Sequence, residues 1–180
     1  NLGVLADRVR YAELASLPYL FRSSDHLWNV LEGDFGAKLD AGIEAAGYVR
    51  LMYLDSAPRD FYCMKPIRSQ ADFEGRRIRV MQSKVFEQLV VNLGAKPIAI
   101  PFNKVSEALK SGQLDCADGS VVNYVSAEHH KITPYLIKDE HLLMPEVLLV
   151  SKKVWDRLAE ADRRAMRGAP AEPGTFRATP

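Results

Sequence analysis

The chain has 180 residues, of which 47% are hydrophobic and 26% charged, an ordinary globular composition for one core or two small lobes. Its 24 basic and 23 acidic residues leave a net charge of +1, which argues against a general binder of nucleic acid or membrane surfaces. No apolar run approaches the ~20 residues that span a bilayer, and the opening NLGVLADRVR lacks the features of a signal peptide.

The first third predicts a connector, a helical region and two strands. The apolar stretch ELASLPYLF (13–21) predicts a buried connector. Residues 24–47 carry a helical stripe in two pieces broken near Gly33, with Ser24 and Asp25 as N-cap candidates and Gly47 as the stop. The runs YVRLMYLD (48–55) and RDFYCMK (59–65) read as strands.

The rest of the chain alternates between strand and helix patterns. Predicted strands follow at 77–81, at 96–100, at 113–119 running into a turn, and at 135–151 with Pro145 in the middle. Predicted helices lie at 69–75, 83–94, 103–112, 120–131 and 154–169, before a Pro/Gly/Ala-rich tail at 170–180 that predicts disorder. This order predicts an α/β protein with a largely parallel sheet.

One arginine lies inside a strand pattern. In FEGRRIRVMQS (73–83), period-two alternation puts Arg77 and Arg79 on one face and Ile78 and Val80 on the other. A buried arginine is costly unless an anion meets it, so the sequence predicts an anionic partner for Arg79. That partner is either a protein carboxylate, such as Glu107, or a ligand.

Three ordered stretches resemble the solute-binding proteins of tripartite ATP-independent periplasmic (TRAP) transporters. They are LASLPYLFRSSDHLWNVLEGDFG, RDFYCMKPIRSQADFEGRRIRVMQS and LGAKPIAIPFNKVSEALKSGQLDCADG. The resemblance implies a periplasmic-binding-protein fold, in which two α/β lobes joined by crossing strands close on an organic acid. It also implies that Arg79 pairs with the ligand carboxylate, that Arg59 is a second contact and that Phe102 forms a pocket wall.

The chain departs from that family in two ways. Where many members read Glu-Asn, it reads Asp118-Gly119, so Asp118 and Asn123 are the candidates for the missing polar contact, and Gly119 bears on ligand choice. It also resembles only part of a member. Residues 1–56 and 145–180 would form an incomplete first lobe, and residues 57–144 would form the second lobe.

The resemblance implies a periplasmic protein that binds a small organic acid in an interlobe cleft and delivers it to the membrane subunits of a TRAP transporter. It implies no catalysis, no cofactor, no metal, no nucleic acid and no membrane insertion. Three alternatives stay open: an α/β enzyme domain that handles phosphate or nucleotide through the turn at 117–120, a sensor input domain of the same fold, and a remnant that binds nothing.

A pair of histidines and a pair of cysteines are candidates for metal binding or for a disulfide. The adjacent His129 and His130 point to different sides of a helix, so we interpret them as a solvated helix end rather than a metal site. Cys63 and Cys116 fit no metal spacing and are either core thiols or, in an oxidising periplasm, a disulfide.

Overall fold

The computed structural model of the protein describes residues 1–168. Seven strands lie within these residues: β1 Tyr48–Leu54, β2 Arg59–Cys63, β3 Arg77–Val80, β4 Lys96–Ala99, β5 Cys116–Ser120, β6 Tyr135–Leu142 and β7 Glu146–Ser151. The same residues contain eight α-helices: α1 Arg10–Leu14, α2 Ser24–Leu31, α3 Asp34–Ala45, α4 Lys84–Asn92, α5 Val105–Lys110, α6 Val121–Ser126, α7 Lys152–Trp155 and α8 Glu160–Arg167.

The chain divides into two compact units. Among the described residues, unit 1 comprises residues 1–15, 21–56 and 144–168, and unit 2 comprises residues 16–20 and 57–143. The predicted helix at 154–169 is two short helices, α7 and α8, separated by a turn. The tail at 170–180, for which the sequence predicts disorder, lies outside the described residues.

Unit 1 contains a two-stranded antiparallel sheet formed by β1 and β7. Helices α2 and α3 supply its core, because their apolar faces bury Trp28, Leu31, Leu39 and Ile43. The break between them is at Gly33, as the sequence predicts, although the N-cap of α2 is Ser23, whose side chain accepts from the backbone N–H of His26.

Unit 2 contains a five-stranded sheet in the order β4-β3-β5-β2-β6. Strand β3 runs parallel to β4 and β5, whereas β2 runs antiparallel to β5 and β6. The expected largely parallel sheet is therefore wrong, because the sheet is mixed. The parallel half comes from the β3–α4–β4 crossover, in which Gly94, at φ +78°, ends the helical segment and lets the chain turn back into β4.

The two faces of this sheet carry different residues. Register pairs Arg79 with Ala117 and Ala117 with Tyr62, so these three side chains lie on one face, called here the Arg79 face. Arg59 and Asp118 lie on the opposite face, in line with the disulfide between Cys63 and Cys116.

The connector at 13–21 is not buried as predicted. Leu14, Leu17 and Leu20 are each about two-fifths exposed, at 40%, 39% and 41%, and Tyr19 is 65% exposed. Its proline and the left-handed backbone of Tyr19, at φ 56°, interrupt any regular pattern that would bury one face.

Candidate functional site

Arg79 is a buried cation with spare hydrogen-bonding capacity. Arg79 is only 5% exposed, and its Nε donates to the backbone carbonyl of Ile100 at 3.1 Å. Within residues 1–168, its two terminal nitrogens have no hydrogen-bond acceptor and no carboxylate lies within ion-pair distance of it. The sequence offers Glu107 as a possible protein partner for Arg79. The Glu107 carboxylate is exposed, however, and its Oε2 lies 3.6 Å from Lys104 Nζ.

The electrostatics of Arg79 favour an incoming anion. Burial lowers the pKa of Arg79, Asp118 opposes that shift and the positive charge of Arg59 adds to it. A guanidinium stays protonated in proteins, so the lowered pKa means that its charge is poorly compensated. A carboxylate at the two terminal nitrogens would supply that compensation in a bidentate, charge-assisted pair.

The neighbouring arginine of the strand has a different environment. Arg77 donates from Nε and Nη2 to the two carboxylate oxygens of Asp115, at 2.9 and 2.7 Å. Its side chain is 42% exposed. Arg77 therefore has a carboxylate partner within the protein, whereas Arg79, two residues away, has none among the described residues.

The Phe102 ring lies beside the Arg79 guanidinium and is in contact with His129, which in turn bonds Tyr62. The Phe102 ring centroid lies 5.9 Å from Arg79 Cζ, and Phe102 is 43% exposed, at the start of a 3₁₀ turn after β4. The ring of His129 lies 5.5 Å from that of Phe102, and its Nδ1 lies 2.9 Å from the hydroxyl of Tyr62. The structure thus brings Arg79 and Phe102 together, and His129 connects Phe102 to Tyr62.

His129 is not part of a solvated helix end, so that interpretation is wrong for this residue. It is 1% exposed and its Nε2 lies 3.0 Å from Ser106 Oγ, while His130 is exposed. Burial and the positive charge of Arg79 lower the pKa of His129. No group of three or more His, Cys, Asp or Glu side chains within the described chain is arranged to hold a metal ion.

Arg59 and Asp118 are engaged with each other on the opposite face. Arg59 donates from Nε to Asp118 Oδ2 at 2.8 Å, and its Nη2 lies 2.7 Å from the same oxygen. Burial acts to raise the pKa of Asp118, but the charges of Arg59 and His141 outweigh it, so the pKa is lowered. Both residues are therefore committed to an internal ion pair.

His141 and Asp139 extend this pair and were missed by sequence reasoning. His141 Nε2 lies 3.6 Å from Asp118 Oδ2, and its Nδ1 lies 2.9 Å from Asp139 Oδ2. Burial acts to lower the pKa of His141, but these two carboxylates raise it overall. The register between β2 and β6 shifts here, because residues 138–141 bulge out of the ladder.

The predicted turn at 117–120 is absent. Asp118 and Gly119 lie inside β5, opposite Phe61 and Asp60 of β2, and helix α6 starts only after its N-cap Ser120. Backbone N–H groups of these residues therefore do not form the loop that would cradle a phosphate. Asn123 lies in α6 and is partly exposed, and its backbone N–H donates to Ser120 Oγ at 3.3 Å.

Cys63 and Cys116 form a disulfide. They lie directly opposite each other on β2 and β5, at a sequence separation of 53. The bridge joins these two adjacent strands on the same face of the sheet as the Arg59–Asp118 pair.

The described residues form a mixed α/β fold with a buried arginine whose terminal nitrogens have no acceptor among them. The sequence profile of the bacterial extracellular solute-binding proteins, family 7, matches residues 2–178, and the chain belongs to that family. The family is one of solute-binding proteins, not of enzymes. No helix among the described residues is long and apolar enough to cross a membrane.

Related proteins and structures agree with this assignment. A solute-binding protein of Chromohalobacter salexigens is 30% identical over 94% of this chain and 51% of its own length. The C4-dicarboxylate-binding periplasmic protein DctP of Rhodobacter capsulatus is 28% identical over 89% of this chain and 48% of its own length. The chain thus spans about half the length of these relatives.

Solved structures share the fold. A TRAP periplasmic solute binding protein from Bradyrhizobium, in complex with α/β-D-galacturonate, matches with a TM-score of 0.88 and 39% identity over 94% of this chain and 57% of its own. One from Roseobacter denitrificans with bound β-D-glucuronate matches with a TM-score of 0.90 and 32% identity, over 96% of this chain and 57% of its own. One from Sulfurospirillum deleyianum with bound succinate matches with a TM-score of 0.89 and 27% identity, over 93% of this chain and 55% of its own.

Proposed function

We propose that this chain captures a small organic acid through Arg79, as the carboxylate-anchoring part of a periplasmic binding protein. The observation that carries the proposal is a buried guanidinium whose terminal nitrogens have no acceptor within residues 1–168. Two parallel N–H donors match the two oxygens of a carboxylate, which gives the contact direction as well as strength. The related solved structures hold galacturonate, glucuronate and succinate. All three ligands are carboxylates, which supports a carboxylate as the ligand of this chain.

The remaining site residues contribute to the proposed binding in different ways, some by direct contact and some indirectly. Phe102 forms an apolar wall beside the guanidinium, and the amide of Asn123 is a polar contact of α6. Arg59 and Asp118 act indirectly, because each neutralises the other on the opposite face of the sheet. Gly119 bears on ligand choice through its neighbour Tyr62.

Membership of this family also supports a proposal for the location and partners of the parent protein. We infer that the parent protein works in the periplasm and delivers its acid to the membrane subunits of a TRAP transporter. The chain does no chemistry in this role, because capture and release of the acid leave its bonds unchanged.

Isothermal titration with D-galacturonate, D-glucuronate and succinate tests the proposal. We expect Arg79→Ala to weaken binding by roughly 30-fold to several thousand-fold, the range for losing one partner of a desolvated charge pair. Arg79→Lys should also bind weakly, since an ammonium cannot make the bidentate contact.

Arg77→Ala is the matched control, because Arg77 lies in the same strand but pairs with Asp115. Its affinity should stay within about threefold of wild type, the range for an exposed ion pair. Equal affinities for the Arg79→Ala and Arg77→Ala variants would reject the anchor. A wild-type chain that binds none of the three acids would favour a non-binding remnant.

A further inference from the structure

Gly119 is a glycine in the interior of a buried strand. It lies in β5 opposite Asp60, and its backbone is not among the positive-φ glycines of the described chain. A glycine at such a position weakens a strand and marks a close approach by another group. The approaching group is Tyr62: a β-carbon at position 119 would lie 3.4 Å from its Cε1 and 3.5 Å from its hydroxyl oxygen.

The phenol of Tyr62 is fixed in that space. Tyr62 is fully buried, its hydroxyl lies 2.9 Å from His129 Nδ1, and His129 Nε2 lies 3.0 Å from Ser106 Oγ. On the other side, its ring packs 4.8 Å from the ring of Tyr124. Since both ring nitrogens of His129 are engaged, the phenol has a defined position rather than a choice of rotamers.

Tyr62 is also a neighbour of the guanidinium. Arg79 and Tyr62 lie on strands to either side of Ala117, on the same face of the sheet. Because β3 and β2 each pair with β5, the two side chains start roughly 10 Å apart, with only the methyl group of Ala117 between them. The guanidinium and the phenol interact electrostatically across this space. His129 further links the phenol to the Phe102 ring, which itself lies 5.9 Å from Arg79 Cζ.

From this geometry we propose that Tyr62 is a specificity-determining residue of the acid site. Its phenol fills the space beside Gly119 and thereby limits the bulk that an acid anchored on Arg79 can carry on that side. His129 acts as a positioning residue, because it holds the phenol there without meeting the acid. The inference rests on the proposed function, since it concerns the same site.

The expected effect is one of size selection. A single methylene in a closely fitting pocket changes discrimination by about 10- to 200-fold. Replacing the phenol by the smaller Leu side chain should relax the limit, so bulky acids gain relative to small ones. Removing only the hydroxyl should leave the limit nearly in place, because the ring keeps its volume.

The test is the ratio of dissociation constants for D-galacturonate and succinate, measured by titration of the full chain. We expect Tyr62→Leu to shift this ratio by at least about tenfold in favour of galacturonate, and Tyr62→Phe by less than about threefold. Leu114→Ala is the matched control, because Leu114 belongs to the same buried cluster but lies outside the strands that carry Arg79 and Tyr62. It should destabilise the chain without moving the ratio.

A second variant covers the case in which Tyr62→Leu does not fold. Gly119→Ser adds a β-carbon in van der Waals contact with the phenol and a hydroxyl beyond it, which take up space on the same side of the site, so the ratio should shift against galacturonate. An unchanged ratio in the folded variants, or an equal shift in Leu114→Ala, would overturn the inference while leaving the proposed function standing. Failure of wild type to bind either acid would reject both.

Discussion

Removing one partner of the Arg59–Asp118 pair should strongly destabilise unit 2. The two side chains are 6% and 1% exposed, and Arg59 places Nε and Nη2 at 2.8 and 2.7 Å from one oxygen of Asp118. Asp118→Asn keeps the size of the side chain and removes its charge. The variant leaves the Arg59 guanidinium buried without a counter-charge, which costs about 3–5 kcal/mol in comparable buried pairs.

Thermal and urea unfolding of the same variant measure this loss. For a chain of this length, each kcal/mol lowers the unfolding midpoint by about 2–4 °C, so we expect a fall of about 6–20 °C. Asp115→Asn is the control, since Asp115 pairs with Arg77 and their side chains are 29% and 42% exposed. Solvent screens that pair, and its loss should cost about 1 kcal/mol or less.

The comparison between the two aspartates is decisive. If Asp118→Asn is as stable as Asp115→Asn, then burial does not amplify the Arg59–Asp118 interaction and the reasoning fails. A midpoint within about 2 °C of wild type would lead to the same conclusion.

The sequence predicted the elements of unit 2 because their signals are local. Helix α4 has a serine at its N-cap position, an apolar stripe that buries Phe86 and Val90, and a glycine at its end. The arginine inside the strand pattern at 77–80 also predicts an anionic partner, since burying a guanidinium is costly without one. For Arg79, no protein carboxylate within the described chain fills that role.

Features that depend on distant segments could not be predicted. The partners of His129 come from Ser106 and Tyr62, which are 23 and 67 residues away. Nothing in the local pattern EHH distinguishes such a histidine from a solvated one. His141 is similar, because its carboxylate partner Asp118 lies on another strand and the bulge in β6 leaves no mark in the apolar pattern.

The sheet face of a residue follows from register, which is also non-local. The family resemblance places Arg59 and Arg79 together as ligand contacts, yet β2 runs antiparallel to β5 and turns Arg59 to the face opposite Arg79. A one-residue shift of β2 would exchange the faces. The pairing of Cys63 with Cys116 fixes this register, so the disulfide and the division of the site between two faces are linked.

Two further predictions concern the same strands. Reducing the disulfide, or replacing both cysteines by serine, should lower the free energy of unfolding by up to about 4 kcal/mol, because the bridge closes a loop with a sequence separation of 53 residues; an unchanged midpoint in a calorimetric scan with reductant would contradict it. The second prediction is a loss of stability above about pH 6.5 caused by His141. Asp118 and Asp139 raise the pKa of His141 above that of the unfolded chain, about 6.5, so its contribution is complete below that pH and is lost as the pH rises through the raised value. The lowered pKa of His129 acts only below about pH 6.5, where the unfolded state binds more protons, so the two histidines affect separate ranges. Urea unfolding at pH 6 and pH 9 should therefore show a decline for wild type that His141→Gln reduces and that replacement of the exposed His130 by Gln does not. An equal decline in all three proteins would mean that the contacts of His141 with Asp118 and Asp139 do not favour its protonated form in the folded state.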